Sequence, residues 1–282
     1  MAQSHSTSLL CGRRLGKKRL DGSWLFRNVD VDLKEGILAI TGPSGVGKST
    51  LLKCICQIIP LDEGQLWLRG KTPEELTFPV WRSKVMYVPQ RTPVMEGTPM
   101  DFLETARNFA VYKKRKESFD DPAEIALDWK VRPELWHKRW NTLSGGEMQR
   151  ISIAIAVSFQ PEVLLLDEPS SALDDESVHL VENTLLQLNC FWITHSPSQA
   201  KRIASSGHLV MRGGDQTQSP LQNVAVDEDQ NSGNGSSSSN SNSNSNGNGN
   251  GNGNSNSHDN SSGAKRPSRR PQAQNGSGHE NS

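Results

Sequence analysis

Apolar and polar positions along the chain fall into short runs that predict an alternation of strands and helices. Residues 25–33, LFRNVDVDL, alternate as a half-exposed strand does, and QLWLRG at 65–70 repeats that pattern. Four other runs do not alternate: ILAI at 37–40, VMYV at 85–88, VLLL at 163–166 and CFWI at 190–193 are apolar throughout. Such strands are buried on both faces, which is the habit of a parallel sheet covered by helices. Helical spacing follows Gly47, runs from Leu143 through ISIAIAVSF to Phe159 ahead of Pro161, and returns over the 15 residues 175–189. Between Arg91 and Asn141 helical stretches around 100–110 and 122–127 are interrupted by four prolines, the mark of an inserted helical subdomain spanning about 91–160. The expected fold class is therefore α/β, a mainly parallel sheet flanked by helices, with a small antiparallel β region and that subdomain. Ligands bind such sheets at the carboxyl ends of the strands.

Composition divides the 282 residues unevenly. From Gly214 onward Ser, Asn and Gly dominate, with the near-repeat SNSNSNSNGNGNGNGNSNS at 239–257, and too little apolar surface is present to offset chain entropy. Residues 214–282 are expected to be a disordered tail, and its KRPSRRP at 265–271 a solvated basic run. Residues 1–19 are expected to be a basic extension before a domain at 20–213. The cluster Arg13, Arg14, Lys17, Lys18, Arg19 suits acidic lipid heads or a solvated hairpin, the hairpin being favoured.

Charge excludes little except a nucleic-acid role. Formal net charge is +0, and residues 1–213 hold 27 Lys+Arg against 25 Asp+Glu, so no nucleic-acid partner is expected. Cys11, Cys54, Cys56 and Cys190 sit in or beside apolar runs without metal-type spacing and read as buried thiols. No stretch approaches the roughly 20 apolar residues of a membrane helix, so any membrane role is expected to come through a partner.

Candidate chemistry centres on the turn after the strand at 37–41. Gly42, Pro43, Ser44, Gly45, Val46, Gly47, Lys48 and Ser49, with Thr50 following, fit G-x-x-x-x-G-K-[ST], the phosphate loop of P-loop NTPases. The glycines admit positive φ and close approach, so backbone N–H groups and the next helix's N-terminus point at a triphosphate. Lys48 reaches the β- and γ-phosphates, and Ser49 ligates Mg²⁺. Asp167, last in VLLLD, is the second Mg²⁺ ligand, and Glu168 is placed to deprotonate the attacking water. His195 emerges at a neighbouring strand end, where it can sense the γ-phosphate. Gln90, after VMYVP, can bridge Mg²⁺ and that water. Ser144, Gly145, Gly146 and Glu147 open a helix as a second anion site that one phosphate loop does not need, which implies a head-to-tail dimer.

Taken in order, GPSGVGKST, the Pro-Gln of VPQ, LSGGEMQR, VLLLDEPSSALD and ITHS resemble the ATP-binding cassette (ABC) ATPases over roughly residues 20–212. The resemblance implies a Walker A loop at 42–50, a Q-loop glutamine at Gln90, and a signature at Ser144–Glu147. It also implies a Walker B aspartate at Asp167, a catalytic base at Glu168, a D-loop at 171–174 and a switch histidine at His195. The implied cofactors are ATP and Mg²⁺, and the implied assembly is a homodimer sandwiching two nucleotides. ITGPSGVGKSTLLK, VPQRTPVMEGT and LLLDEPSSALD are most similar to stand-alone ATPase subunits of bacterial-type iron exporters and the related aluminium-tolerance transporter. A separately encoded transmembrane permease is then the expected partner, with the chain cytoplasmic on the cytosolic face of the membrane. The rival expectation is a soluble ABC ATPase of the cluster-assembly type. Two departures stand out: no aromatic occupies GRRLGKKRL, where the family stacks adenine, leaving an arginine or Trp24 as substitutes, and only 27 positions separate Glu168 from His195.

Overall fold

The computed structural model describes residues 8–92, 95–113 and 119–215. Of the Ser/Asn/Gly-rich tail only Gly214 and Asp215 fall among them. The elements run β1 Leu10–Lys18, β2 Trp24–Leu33, β3 Ile37–Thr41, α1 Lys48–Ile55, β4 Glu63–Leu68, α2 Pro73–Leu76, α3 Phe78–Lys84 and β5 Val85–Val88. Then come α4 Pro99–Arg107, α5 Ala110–Lys113, α6 Pro122–Leu127, two 3₁₀ turns at Pro133–His137 and Trp140–Thr142, and α7 Gly145–Ser158. The described chain ends with β6 Val163–Asp167, α8 Asp175–Leu185, β7 Cys190–Ile193, α9 Pro197–Ile203, β8 Gly207–Val210 and β9 Gly214–Asp215.

The five strands β5-β6-β7-β3-β8, in that spatial order, form a parallel sheet, and β4-β1-β2-β9 form a second, mostly antiparallel one. Successive side chains of a strand point to opposite faces, and the unalternating strands use that to feed two cores. Ile37, Ala39, Leu164, Leu166, Cys190 and Trp192 face the core completed by α7, α8 and α9 with Trp129, Trp136 and Trp140. Leu38, Ile40, Val163, Leu165, Phe191 and Ile193 face the core built from α1, Trp81 and the second sheet. Burying each such side chain contributes about 1.5–3 kcal/mol, so strands filled on both faces are the best-anchored part of the molecule. Their carboxyl ends inherit that rigidity. Trp81, Trp129, Trp136 and Trp140 are all core residues, at most 1% exposed. The four cysteines are free and buried, and burial pushes the thiols of Cys54 and Cys56 up to about 12 and about 11.

The expected basic extension 1–19 ends inside the fold. β1 lies between β2 and β4 as an inner strand, with Leu10 and Leu15 fully buried, so the domain begins well before residue 20. Its charges are accommodated locally: Arg13 donates to Asp32 at 2.7 Å and to the Val31 carbonyl at 2.9 Å, and Lys17 pairs with Asp62 at 3.0 Å. A register shift past Gly12, with Arg14 at φ 52°, breaks the alternation that would mark the strand in sequence. Arg19 and Ser23 close the β1–β2 hairpin through an Arg19 N–H to Ser23 carbonyl bond of 2.8 Å. The helix expected over 175–189 stops at Leu185, and Asn189 instead accepts the Gly36 N–H at 2.9 Å.

Candidate active site

β3 delivers the glycine-rich turn at the carboxyl edge of the parallel sheet. Gly42 has φ 144° and a side chain there would meet the Met211 carbonyl at 2.2 Å, so the loop can start only with glycine. Gly47, at φ 98°, lies against Leu25 and Phe26 of β2 and caps α1 without a side-chain hydrogen bond. The first N–H groups of α1 are thereby left for an anion, with the helix dipole behind them. Pro43, Ser44 and Gly45 are exposed, whereas Lys48 is only 6% exposed and donates to the Gly42 and Pro43 carbonyls, both at 2.9 Å. Burial pushes the Lys48 ammonium's pKa down, partly offset by the nearby carboxylates of Glu168 and Asp167.

Asp167 ends β6 with both oxygens engaged. Ser49 Oγ donates to Oδ1 at 3.0 Å and Tyr87 Oη to Oδ2 at 2.8 Å. Burial, then the charge of Asp167, raises the pKa of the Tyr87 phenol and keeps it a donor. Tyr87 was not among the residues singled out from sequence, because a tyrosine inside an apolar strand reads as core. Glu168 follows at φ 48°, a left-handed conformation uncommon for a side chain of its size. Its two oxygens are also taken: Gln90 Nε2 donates to Oε2 at 2.7 Å, and His195 Nε2 lies 2.7 Å from Oε1. Gln90 thus rests on Glu168 rather than on Asp167.

Ser49, Asp167, Glu168, Gln90, His195 and Lys48 accordingly converge on one edge. Ser144 to Glu147 do not join them by any hydrogen bond among the described residues. They form a reciprocal cap on α7, in which the Glu147 N–H donates to Ser144 Oγ at 3.3 Å and the Ser144 N–H to Glu147 Oε2 at 2.8 Å. Gly145 opens onto free space, while a Cβ at Gly146 would stand 3.0 Å from the Ala172 carbonyl. Trp24, the candidate adenine platform, has Lys18 Nζ 4.8 Å and Arg27 Cζ 4.7 Å from its ring. GRRLGKKRL supplies β1.

The sequence profile described as ABC transporter matches residues 26–171. The chain belongs to the ABC transporter family. It is an ATP-binding, ATP-hydrolysing chain of that family. The "Putative ABC transporter ATP-binding protein YjkB" of Bacillus subtilis (strain 168) is 33% identical over 189 residues, 64% of this chain and 74% of that protein. The "Probable iron export ATP-binding protein FetA" of Escherichia coli (strain K12) is 32% identical over 186 residues, 62% of this chain and 80% of that protein. Among solved structures, the dimeric post-hydrolysis state of the ATP-binding cassette MJ0796 bound to ADP and Pi superposes with a TM-score of 0.62. It shares 21% identity and covers 74% of this chain and 97% of that one, which fixes the likeness of fold. The profile match stops short of His195, which the structure places 2.7 Å from Glu168 Oε1.

Proposed function

We propose that this ABC ATPase works as a head-to-tail homodimer that sandwiches two ATP molecules and drives a separately encoded membrane permease from the cytosolic side. The observation that carries this reading is the double clamp on Glu168 by Gln90 and His195, one residue past the carboxylate shared by Ser49 and Tyr87. A carboxylate held at both oxygens is fixed in direction, and Glu168 is the group assigned to take the proton of the attacking water. Lys48 is assigned to the β- and γ-phosphates, and the N–H groups of the 42–50 loop to the phosphate oxygens. Ser49 Oγ and the Asp167 carboxylate are hard oxygen donors, few in number, which suits Mg²⁺ with water and phosphate completing its shell. Bound there, Mg²⁺ would offset charge on the β- and γ-oxygens.

Ser144, Gly145 and Gly146 receive the nucleotide of the second chain, since their helix end takes no part in the cluster around Glu168. Among the described residues no helix is long and apolar enough to cross a membrane. A cavity of about 590 Å³, lined by Met86, Pro89, Phe102, Phe109, Ile155 and Phe159 among others, is where we place a permease helix. The similarity to an iron-export ATPase supports transport over soluble assembly work. Isolation of the full chain from detergent-solubilised membranes tests this: recovery with a multi-span protein is expected, and recovery only in a soluble complex would overturn the transport reading.

A further inference from the structure

We infer that Gln199 is a positioning residue for hydrolysis, its buried amide locking the turn that carries His195 onto the segment that follows Glu168. The inference rests on the roles proposed above for those two residues. Gln199 lies on α9, 6% exposed, and every polar atom of its side chain is engaged. Thr194 Oγ1 donates to Gln199 Oε1 at 2.5 Å, while Gln199 Nε2 donates to Ser170 Oγ at 2.9 Å and to Glu182 Oε1 at 2.7 Å. Thr194 and Ser196 flank His195, and Ser170 stands two residues past Glu168, so one side chain reaches both catalytic segments.

The orientation of the amide is forced by Glu182. Thr194 Oγ1 accepts the Ser196 N–H at 3.0 Å and keeps its own hydrogen for the amide oxygen. Glu182 is 3% exposed and can only accept while ionised; Arg202 grips it with two bonds of 2.9 and 2.8 Å. The amide NH₂ must therefore face Glu182, and the oxygen must face Thr194. Ser196 Oγ in addition caps α9 by accepting the Gln199 N–H at 3.2 Å. The result is a satisfied, polarised network that begins at an ion pair and ends on either side of the His195–Glu168 contact. Networks of this kind hold geometry because no member can turn without stranding a buried polar group.

Gln199→Met in the full chain keeps the side chain's length and removes every hydrogen bond of the amide, including the longer one from Ser170 Oγ to Oε1 at 3.3 Å. Single-turnover ATP hydrolysis should slow about tenfold, the scale of one net hydrogen bond lost from the transition state. The dissociation constant for a non-hydrolysable ATP analogue should stay within about twofold of the unaltered chain, because Gln199 does not touch the phosphate loop. In a His195→Ala background the same substitution should cost less than about twofold, since residues acting through one contact do not add. A wild-type rate for Gln199→Met beside a slow His195→Ala overturns the inference alone. A full tenfold loss in both backgrounds also overturns it, by assigning the effect to general packing. A wild-type rate for His195→Ala overturns the role of His195 and this inference together. Should Gln199→Met lose its fold by circular dichroism, Thr194→Val removes the donor to Oε1 together with the acceptor of the Ser196 N–H, and leaves the Gln199 amide its bonds to Ser170 and Glu182; it should slow turnover several-fold with the same non-additivity, and a wild-type rate overturns the inference.

Discussion

Glu168 and His195 meet at 2.7 Å although 27 positions separate them, because β6 and β7 are adjacent and parallel with Asp167 in register with Ile193. Each residue is one or two places past the paired end of its strand. The short interval between them is absorbed by an 11-residue α8, so the contact is kept while the connection is trimmed.

The first prediction follows from that contact. Glu168→Gln keeps the shape of the side chain and removes the proton acceptor. Nucleotide binding should persist, and single-turnover hydrolysis should slow by about 10²–10⁴-fold, the range for a lost acid–base group. Quench-flow or radiolabelled-ATP assays check this; a rate within threefold of wild type would remove Glu168 from the chemistry.

Tyr87 gives the second prediction. Its hydroxyl is the partner of Asp167 Oδ2, and Asp167 is only 3% exposed. Tyr87→Phe leaves that oxygen without its donor, at a cost of about 1–3 kcal/mol in stability. Urea unfolding of the nucleotide-free chain should show a lower midpoint at unchanged slope. An unaltered midpoint would mean that the oxygen finds another donor and that Tyr87 is only filler in β5.

How far these relationships were legible in sequence depended on where each residue stood. The apolar runs of β3, β5, β6 and β7 are visible because burial on both faces leaves no polar alternation to confuse. The loop, Gln90, Glu168 and His195 are visible because they directly follow those runs. β1 was hidden: Arg13, Arg14, Lys17 and Lys18 look like solvent-facing charge, yet a register shift and the acids Asp32 and Asp62 let a central strand carry them. Tyr87 and Gln199 were hidden for a different reason. Each sits inside an element rather than at its end, and what it does depends on polar atoms reaching partners on other elements, Asp167 for Tyr87 and Ser170 and Glu182 for Gln199, which no local pattern encodes.

A third prediction concerns acid. Glu162, just before β6, accepts from Lys84 and Arg69, both at 2.5 Å. Burial pushes its carboxyl up, but those two cations more than offset that and hold it below the ordinary value of 4.5. A carboxylate depressed on folding contributes stability that is fully present above the ordinary value and lost as pH falls through the lower, folded one. Arg69 is 69% exposed at its side chain, so the contribution is about 1 kcal/mol rather than more. Chains carrying Arg69→Met and Lys84→Met should lose about that much at pH 7 and show a shallower decline below pH 4.5. Parallel acid dependence of the two proteins in urea titrations would show that Glu162 is not a source of it.

The last prediction asks whether each active site is shared between two chains. Lys48 stands in the phosphate loop, held by the Gly42 and Pro43 carbonyls, and Lys48→Ala should abolish tight nucleotide binding in its own chain. Gly145 is the position to disturb on the other side, because a side chain there meets nothing within 4 Å whereas one at Gly146 would stand against the Ala172 carbonyl. Gly145→Asp should therefore leave the fold and monomer binding intact, and place a carboxylate where the partner's phosphate must dock at the start of α7. Either variant alone should be inactive. Mixed, they form heterodimers in which one composite site carries both lesions and the other carries neither. Hydrolysis should then return, up to about a quarter of the wild-type level if half the dimers are mixed and one intact site turns over independently. A wild-type and Lys48→Ala mixture supplies the control for single-site turnover. Activity in that control above the roughly one quarter owed to wild-type homodimers, with none in the doubly lesioned mixture, would show that Ser144, Gly145 and Gly146 do not complete the site of another chain.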